Sequence, residues 1–241
     1  MRPIEMGTCS ICGEGLVSEH VFSNEQEEAI CGLCRRAAPP FARASAYGSY
    51  DGGLRELIHL LKYGQVRPAA NVLGRMLAET ITDLEPSFRA NDSLFPQPLL
   101  VVPVPLHARK LRQRGFNQSE VIARAALKLK PAGGQLTLAA EILVRKRETQ
   151  SQIGLTRHQR RENMRGAFAV ADPQPLKDRE VLLVDDVFTT GTTASECARV
   201  LRRAGAKRVW VATVARTLKA EAQHVIHQEE EETRAAMAAH G

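Results

Sequence analysis

Apolar positions recur with two different periods along the chain, and they predict alternating helices and strands. Between residues 50 and 84, aliphatic side chains recur at the three- and four-residue spacing of helices, and an interruption near Gly64 and Pro68 divides this segment into two helices. Short apolar runs at 99–104 and 181–184 have the length and composition of buried strands. This alternation is typical of an α/β domain.

Weaker signals extend the same series toward the C-terminus. The pattern predicts a helix at 119–130, a strand at 141–145, a helix at 193–204 that stops at Gly205, and a last strand at 208–215. Strands separated by helices of this length pair in parallel. We therefore expect a doubly wound, mostly parallel sheet, whose ligands bind beyond the carboxyl ends of its strands.

Composition divides the chain into three parts. Residues 1–40 hold four of the five cysteines and few apolar residues, so they cannot bury a core of their own. This part ends in a linker, Ala37-Ala38-Pro39-Pro40, because proline cannot continue a helix. Residues 41–216 form the predicted α/β domain. Residues 217–241 are rich in Ala and Glu and are predicted to be a solvated polar tail.

Positive charge is concentrated in the middle of the chain. Residues 101–171 contain 14 Lys and Arg against 4 Asp and Glu, a net charge of +10, whereas the whole chain carries +6. Such a segment favours a phosphorylated small molecule or a nucleic-acid backbone as partner, although a solvated basic surface explains the charge equally simply. No apolar run approaches the roughly 18 residues of a membrane helix, and the N-terminus lacks a secretory signal. We expect no membrane insertion and a cytoplasmic location.

The strongest chemical signal is a strand that runs into two carboxylates and a loop of small hydroxyl residues. The segment reads Val181-Leu-Leu-Val-Asp-Asp-Val-Phe-Thr-Thr-Gly-Thr-Thr193. Threonines and Gly191 at a helix N-terminus offer hydroxyls, backbone N–H groups and the positive end of the helix dipole to a phosphate. Asp185 and Asp186 would repel a phosphate, but they can accept hydrogen bonds from sugar hydroxyls or hold Mg²⁺. The pattern therefore predicts a site for ribose 5-phosphate.

A purely structural interpretation of this segment is an N-capped helix after a buried strand. In that interpretation threonine and aspartate serve only as turn and cap residues. It accounts for one threonine and one of the two acids, and it leaves the second acid and three of the threonines without a role.

The cysteines are arranged in two pairs. Cys9-x-x-Cys12 and Cys31-x-x-Cys34 are separated by 18 residues, a spacing that suits a tetrahedral zinc site of four thiolates. A closed shell of this kind predicts a structural Zn²⁺ on which the folding of the segment depends. Four unrelated buried cysteines are the alternative, and disulfides are disfavoured in the expected compartment. Cys197 shares a helical face with apolar residues and is predicted to pack in the core.

The acid and threonine segment resembles the phosphoribosyl diphosphate (PRPP) motif of type I phosphoribosyltransferases. From about Cys9 to Arg216 the chain resembles the ComF family of competence-related proteins. The matching features are Leu61-Lys62-Tyr63-Gly64, Val102-Pro103-Val104-Pro105, Arg114-Gly115-Phe116-Asn117-Gln118, and Arg145-x-Arg-x-Thr-x-x-Gln152 with Arg161-x-Asn163-x-x-Gly-Ala-Phe168.

This resemblance implies a role for particular residues. Asp185 and Asp186 would act as catalytic residues that hold the ribose hydroxyls, with Mg²⁺ as the cofactor that accompanies PRPP. Arg147 would join them from a flexible loop that runs to about Arg165 and closes over the reaction. Five arginines of this loop suit an anion clamp, although an exposed basic helix explains the last three as simply. The implied PRPP-binding residues are Pro103, Val104, Arg109, Lys110, Val187, Thr189, Thr190, Gly191, Thr192 and Thr193.

Two classes of function remain open at the level of sequence. The first is an enzyme that transfers phosphoribose to an acceptor with release of diphosphate. The second is a non-catalytic PRPP sensor, or a protein that contacts single-stranded DNA or the DNA-uptake machinery, as the link to competence suggests. Aromatic residues make up only 5% of the chain, which weakens the DNA hypothesis because single-strand platforms stack bases on aromatic rings. The acceptor and the oligomeric state, a homo-oligomer included, stay open.

Overall fold

The protein is described by a computed structural model that covers residues 8–16, 29–89, 98–130, 136–149 and 156–217. Apart from Thr217, the predicted tail at 217–241 lies outside the described residues. The strands are β1 (Arg43–Ser49), β2 (Leu99–Pro103), β3 (Leu136–Leu138), β4 (Leu143–Arg145), β5 (Phe168–Val170), β6 (Glu180–Phe188) and β7 (Arg208–Arg216). The helices are α1 (Gly32–Arg36), α2 (Gly52–Lys62), α3 (Ala69–Arg89), α4 (Ala108–Arg114), α5 (Gln118–Leu129), α6 (Arg157–Met164) and α7 (Thr192–Arg203).

Five strands form a parallel sheet in the order β1-β7-β6-β2-β3, and β4 pairs with β5 in a separate antiparallel ribbon. Strand β6 lies in the middle of the sheet, with Leu182 opposite Val101 on one side and Trp210 on the other. The prediction of an α/β domain with a mostly parallel sheet is confirmed, and a four-cysteine segment precedes it.

Both faces of the sheet are covered, which explains why its central strand is apolar without interruption. Leu182 and Val184 pack in a core with residues of α2, α3 and α5. Val181 and Leu183 pack in a second core with residues of α7 and the β4–β5 ribbon, and Ile11 of the cysteine segment contacts that second core. Adjacent side chains of a strand point to opposite faces, so each of these four residues is fully buried.

The structure differs from the pattern-based prediction at several strands. The strand predicted at 141–145 is β4, which lies outside the parallel sheet and pairs antiparallel with β5, and neither β3 nor β5 was predicted. Strand β6 continues through the two acids to Phe188, because β7 continues beside it and pairs Asp185 with Thr213 and Phe188 with Arg216. Strand β1 has the sequence RASAYGS, which lacks the apolar run or strict alternation that predicts a strand, and it forms by pairing with β7. None of the described helices combines the length and apolarity that crossing a bilayer requires.

Candidate functional site

A buried ion pair lies at the carboxyl end of β6. The Nζ atom of Lys62, the last residue of α2, is 2.5 Å from Oδ2 of Asp186, and the two side chains are only 17% and 7% exposed. Burial alone would raise the pKa of Asp186, but the Lys62 ammonium group holds it below its ordinary value. Burial alone would lower the pKa of Lys62, yet Asp186 raises it. Both groups are therefore charged at neutral pH.

The neighbouring carboxylate is in a different electrostatic state. Burial and the charge of Asp186 raise the pKa of Asp185 to about 8, against its ordinary value of 3.8. The hydroxyl of Ser119 donates a hydrogen bond of 2.9 Å to Asp185 Oδ1, and the backbone N–H of Asp186 donates another of 3.0 Å to the same oxygen. The two adjacent acids, of which Asp186 is buried and Asp185 partly exposed, thus carry one full negative charge between them near neutrality. A cation or a hydroxyl donor would be favourable beside Asp185.

Asn117 positions Ser119 at the acid. Its Oδ1 atom caps α5 by accepting from the Ser119 N–H at 3.2 Å, and its Nδ2 atom donates to the carbonyl of Val104 at 3.1 Å. This side chain therefore connects the end of β2 to the start of α5. Asn117, which the sequence analysis named only within a matching motif, is therefore a helix cap.

Cationic side chains surround the two acids. Burial lowers the pKa of Lys110, and the nearby positive charges of Arg145, Arg114 and Lys62 lower it further. Burial likewise lowers the pKa of Arg145, which the carboxylate of Asp185 counteracts. Such crowding of like charges is unfavourable in the free protein and becomes favourable when an anion enters. The arrangement fits a ligand that brings several negative charges.

The predicted loop arginine contacts a different part of the molecule. Arg147 is exposed, and its Nη2 atom donates to the carbonyls of Asn163, at 2.7 Å, and Arg165, at 3.1 Å, at the end of α6. Arg145 is the arginine that interacts with Asp185. The guanidinium of Arg145 lies 5.4 Å from the ring centroid of Phe168 and donates to Thr149 Oγ1.

The remainder of the predicted loop is partly described. Residues 150–155 lie outside the described residues, and residues 157–164 form α6, which begins with a capping box between Thr156 and Gln159. Of the last three arginines of the segment, Arg160 and Arg161 belong to this helix and Arg165 is its C-terminal cap residue. Arg161 and Arg165 are exposed, as an exposed basic helix requires, whereas Arg160 is buried. The role of Arg147 stays a prediction.

The threonine loop turns sharply between β6 and α7. Gly191 has a φ of +72°, and a Cβ atom at this position would lie 2.6 Å from Cζ of Phe188. Glycine is therefore required both by backbone conformation and by the aromatic ring below the turn. The hydroxyls of Thr190 and Thr192 are 2.8 Å apart, and Thr189 is exposed.

The other predicted PRPP-binding residues occupy the same edge of the sheet or its rim. The backbone N–H of Val104 donates to the carbonyl of Val184 at 2.8 Å, which places the end of β2 beside the residue that precedes the acids. Arg109 is exposed, with its Nη1 atom 3.6 Å from Glu148 Oε2. His107 caps α4 by accepting from the Arg109 N–H at 3.4 Å. Pro103 is buried and Val187 is partly buried.

Sequence reasoning missed several residues at this site. Lys62 and Arg145 were recognised only as parts of matching motifs, and Ser119 was not singled out. The sequence contains no local signal for the burial of Lys62, because a lysine in the last turn of an amphipathic helix is ordinarily exposed. For Ser119 the hydrogen bond spans 66 positions, so nothing local indicates its partner.

The four paired cysteines form a cluster. The Sγ atoms of Cys9, Cys12, Cys31 and Cys34 all lie within 4.8 Å of one another, and Cys12 Sγ is 3.7 Å from Cys31 Sγ. A tetrahedron of sulfurs around Zn²⁺ at about 2.3 Å has edges of about 3.8 Å. These four residues could therefore hold one metal ion.

The electrostatics of the cysteine cluster also fit a dication. Burial raises the pKa of Cys12 to about 11 and raises the pKa of Cys34 as well, and the neighbouring thiolates contribute to both shifts. Burial opposes ionisation of Cys9, but hydrogen bonds from the backbone N–H groups of Cys12, Cys31 and Ile11 lower its pKa to about 7. A bound metal supplies the positive charge that four adjacent thiolates need.

The sheet, the acid pair and the threonine loop agree with a recognised sequence family. Residues 119–231 match the family described as Phosphoribosyl transferase domain, and this match includes all of α5 but its first residue, together with β6 and α7. The class of this part of the chain is therefore that of phosphoribosyl transferase domains.

Full-length relatives define the family more narrowly. The DNA utilization protein YhgH of Escherichia coli K12 is 31% identical over 220 residues, which cover 88% of this chain and 91% of that protein. Competence protein F of Haemophilus influenzae is 29% identical over 216 residues, which cover 87% of this chain and 90% of that protein. This chain belongs to the ComF family.

Solved structures of phosphoribosyl enzymes are also similar to this chain. Glutamine PRPP amidotransferase from B. subtilis is 21% identical with a TM-score of 0.34, over 61% of this chain and 26% of that one. Hypoxanthine-guanine phosphoribosyltransferase from Schistosoma mansoni is 17% identical with a TM-score of 0.32, over 62% of this chain and 57% of that one. This chain thus spans about a quarter of the first and just over half of the second.

Proposed function

We propose that the protein binds PRPP with Mg²⁺ and transfers its phosphoribosyl group to an acceptor with release of diphosphate. One observation carries this proposal. The buried Asp186 and the partly exposed Asp185 stand near the carboxyl end of the central strand, just before a threonine loop at a helix N-terminus. The cationic side chains of Lys62, Arg114 and Arg145 are their neighbours. A sugar requires hydroxyl acceptors, its 5-phosphate requires N–H and O–H donors, and its diphosphate requires cations.

Each part of the site matches one part of PRPP. The threonine loop, at the positive end of α7, would bind the 5-phosphate. Asp185 would accept the ribose hydroxyls, aligned by its bond from Ser119. Lys110 and Arg145 would contact the diphosphate, and Lys62 keeps Asp186 ionised without an external cation.

The carboxylates also fit Mg²⁺. Burial first, and then the charge of Asp186, raise the pKa of Asp185, and a divalent cation beside this acid would favour its ionised form. Mg²⁺ usually binds through one or two carboxylates together with substrate phosphates, and it would neutralise the charge on the departing diphosphate.

In the transfer itself, a bond forms between the acceptor atom and C1 of the ribose as the bond from C1 to the diphosphate oxygen breaks. Positive charge develops on the ribose, as in glycoside cleavage, and negative charge on the leaving group. Each well-placed donor to that leaving group contributes about 3 to 4 kcal/mol in other enzymes. Arg145 and Lys110 are the described side chains best placed to do so.

Calorimetric titration with PRPP and Mg²⁺ tests the proposal. The double variant Asp185→Asn with Asp186→Asn should lose binding, because the charge of Asp186 is removed and residue 185 can no longer ionise beside Mg²⁺. Asp83→Asn, on the exposed side of α3, is the matched control and should bind like the parent. Equal affinity of the double variant and the parent would refute the assignment. Diphosphate release across a panel of bases and amines then separates transfer from mere sensing of PRPP.

The four cysteines are proposed to hold a structural Zn²⁺. Four thiolates leave no open coordination position, so the ion would stabilise the segment without taking part in transfer. Elemental analysis of the purified protein tests this, with about one zinc per chain as the expected result. Free thiols that react quantitatively in the native protein would contradict it.

One observation favours a second candidate function, the binding of single-stranded DNA. The ring of Tyr63 is 66% exposed, and the guanidinium of Arg114 lies 5.7 Å from its centroid. An exposed aromatic ring among cations is the usual platform for an unpaired base, and the relatives include proteins named for DNA utilization and competence. Loss of affinity in Tyr63→Ala, measured at several salt concentrations, would support base stacking, whereas dependence on salt alone would indicate backbone contact.

A further inference from the structure

A buried arginine connects the cysteine module to the sheet. Arg216, the last residue of β7, is 3% exposed. Its Nη1 atom donates to the carbonyl of Cys12, and its Nη2 atom donates to Glu14 Oε2 at 3.0 Å. The turn between these residues is shaped around the guanidinium, since Gly13 has a φ of +70° and an added Cβ would lie 3.0 Å from Arg216 Nη1. One side chain thus contacts three successive residues of the metal-binding turn.

The same guanidinium contacts the base of the threonine loop. It lies 5.3 Å from the ring centroid of Phe188, the residue paired with Arg216 across the two strands. The Phe188 ring in turn occupies the space where Gly191 would carry a Cβ atom, at 2.6 Å. A second aromatic ring, Phe41, packs edge-on against Phe188 with centroids 6.1 Å apart. The position of Phe188 therefore limits the conformation of the turn that begins α7.

These contacts run without a gap from the cysteine cluster through Arg216 and Phe188 to the threonine loop, so a change at one end can affect the other. A metal ion on Cys12 Sγ would hold that residue, and hence the carbonyl that accepts from Arg216, in one place. A planar guanidinium held at two points cannot rotate away from the ring that it covers. Packed side chains transmit such constraints because interiors have few voids into which a ring can move.

We propose that Arg216 is a positioning residue that couples metal binding at the four cysteines to the geometry of the threonine loop, so that the metal-loaded module favours the phosphate-binding form of that loop. Arg216 acts through Phe188 and contacts no ligand itself. The inference rests on the proposed function only for the identity of the ligand, the sugar phosphate. The coupling between the two regions is a property of the free protein.

Ribose 5-phosphate is the appropriate probe, because it engages the threonine loop without diphosphate. We expect Arg216→Gln to keep about one zinc per chain and to bind the probe at least about fivefold more weakly than the parent, the lower range of coupling between sites. Arg208→Gln is the matched control. Arg208 lies at the other end of β7 with the same kinds of partner, the Trp210 ring at 5.5 Å and Glu180 at 3.8 Å, and its replacement should leave the affinity unchanged.

A second readout needs no ligand. Hydrogen exchange of the amides at 189–194 should be faster in the metal-stripped full chain than in the metal-loaded chain. In Arg216→Gln the exchange should already be fast and should no longer respond to the metal. By reciprocity, ribose 5-phosphate should slow zinc release to a chelating dye in the parent and not in Arg216→Gln.

The outcomes distinguish the proposed function from the coupling through Arg216. Failure of the parent to bind ribose 5-phosphate removes the proposed function, and hydrogen exchange still decides the coupling. Normal affinity and normal exchange in a zinc-loaded Arg216→Gln overturn the coupling and leave the proposed function standing. If Arg216→Gln loses zinc or does not fold, Glu14→Ala decides in its place, because it removes the acceptor of one of the two anchoring hydrogen bonds and keeps the guanidinium. Unchanged exchange and affinity in zinc-loaded Glu14→Ala then overturn the proposal.

Discussion

The cysteine module and the carboxylate site are assembled in different ways. The module takes its four ligands from two short pairs, and its apolar neighbours are few. The carboxylate site takes its side chains from three helices and two strands, on a sheet with a core on each face. The module can therefore depend on a metal for its shape, whereas the site depends on the packing of the whole domain. The following predictions test that difference, from the largest expected effect to the smallest.

The first prediction concerns loss of a metal ligand. Cys12→Ser should abolish stoichiometric zinc and unfold the module, because structural zinc sites contribute on the order of 10 kcal/mol. Cys197→Ala is the control, since Cys197 lies outside the cysteine cluster and is a buried residue of α7 that packs in the core. Elemental analysis and circular dichroism should show zinc retained and the fold intact in the control. If both variants retained zinc, the module would not depend on Cys12 as a metal ligand, and the proposed difference between the two regions would be wrong.

The second prediction concerns the ion pair of the carboxylate site. Lys62→Met should lower the free energy of unfolding by about 3 to 5 kcal/mol, because it leaves the Asp186 charge buried without a partner. The double variant Lys62→Met with Asp186→Asn should recover much of the lost free energy of unfolding, because the unpaired charge is removed. The control is Lys130→Met, which breaks an ion pair of similar length. The Nζ atom of Lys130 is 2.6 Å from Glu85 Oε1, and the side chain of Glu85 is 21% exposed. Water can reach that acid, so a loss of about 1 kcal/mol is expected in urea titrations.

The third prediction concerns the turn of the threonine loop. Gly191→Ala and Gly115→Ala both place a side chain at a positive φ, +72° and +78°, which costs about 1 kcal/mol. Only Gly191→Ala also meets an aromatic ring, whereas nothing lies within 4 Å of a Cβ at Gly115. We expect about 1 to 3 kcal/mol of additional destabilisation at Gly191. If Gly191→Ala and Gly115→Ala lowered the stability equally in thermal unfolding, Phe188 would not restrict the conformation of the turn.

The fourth prediction concerns pH. The pKa of Asp185 is raised to about 8 in the folded protein, so the folded state keeps a proton that the unfolded chain releases above about pH 4. The contribution of Asp185 to stability is therefore greatest below pH 4, decreases as pH rises, and levels off above 8. Asp185→Asn retains the acceptor for Ser119 and lacks this titration.

The stability advantage of Asp185→Asn over the parent should thus grow between pH 5 and 8. We expect a difference of at least about 2 to 4 °C in Tm by pH 8, which corresponds to about 1 kcal/mol in a domain of this size. The measurement is made without PRPP and Mg²⁺, and Asp83→Asn serves as control. An advantage that is constant across this range would contradict a raised pKa at Asp185.

Much of the fold and part of the site could be predicted from the sequence, because the relevant signals are local. The apolar run at 181–184 and the helical spacing between 50 and 84 report burial directly, and both predicted helices and the central strand are present. The cysteine pairs and the acid and threonine segment were recognised for the same reason. Strand β1 was missed because its small residues carry no periodic signal, and its partner β7 lies at the other end of the domain.

The choice among the arginines shows where local reasoning stops. Arg145 and Arg147 are two positions apart and chemically identical, and the resemblance favoured Arg147 for the site. In the structure, Arg145 belongs to a strand whose pairing with β5 directs it toward Phe168 and Asp185. Arg147 follows the strand and contacts the end of α6 instead. Strand pairing, which is a long-range property, thus gives the two arginines different surroundings, and the role of Arg147 in the site stays a prediction.

By itself the sequence determined the α/β class, the four-cysteine cluster and the acid and threonine segment, since each depends on residues close together along the chain. Tertiary structure alone decided which charges surround the acids, how Asp185 and Asp186 come to differ in pKa, and how Arg216 joins the cysteine turn to the threonine loop. These features depend on burial and on contacts between distant segments. Electrostatic energies vary steeply with both, so they become defined only when the chain has folded.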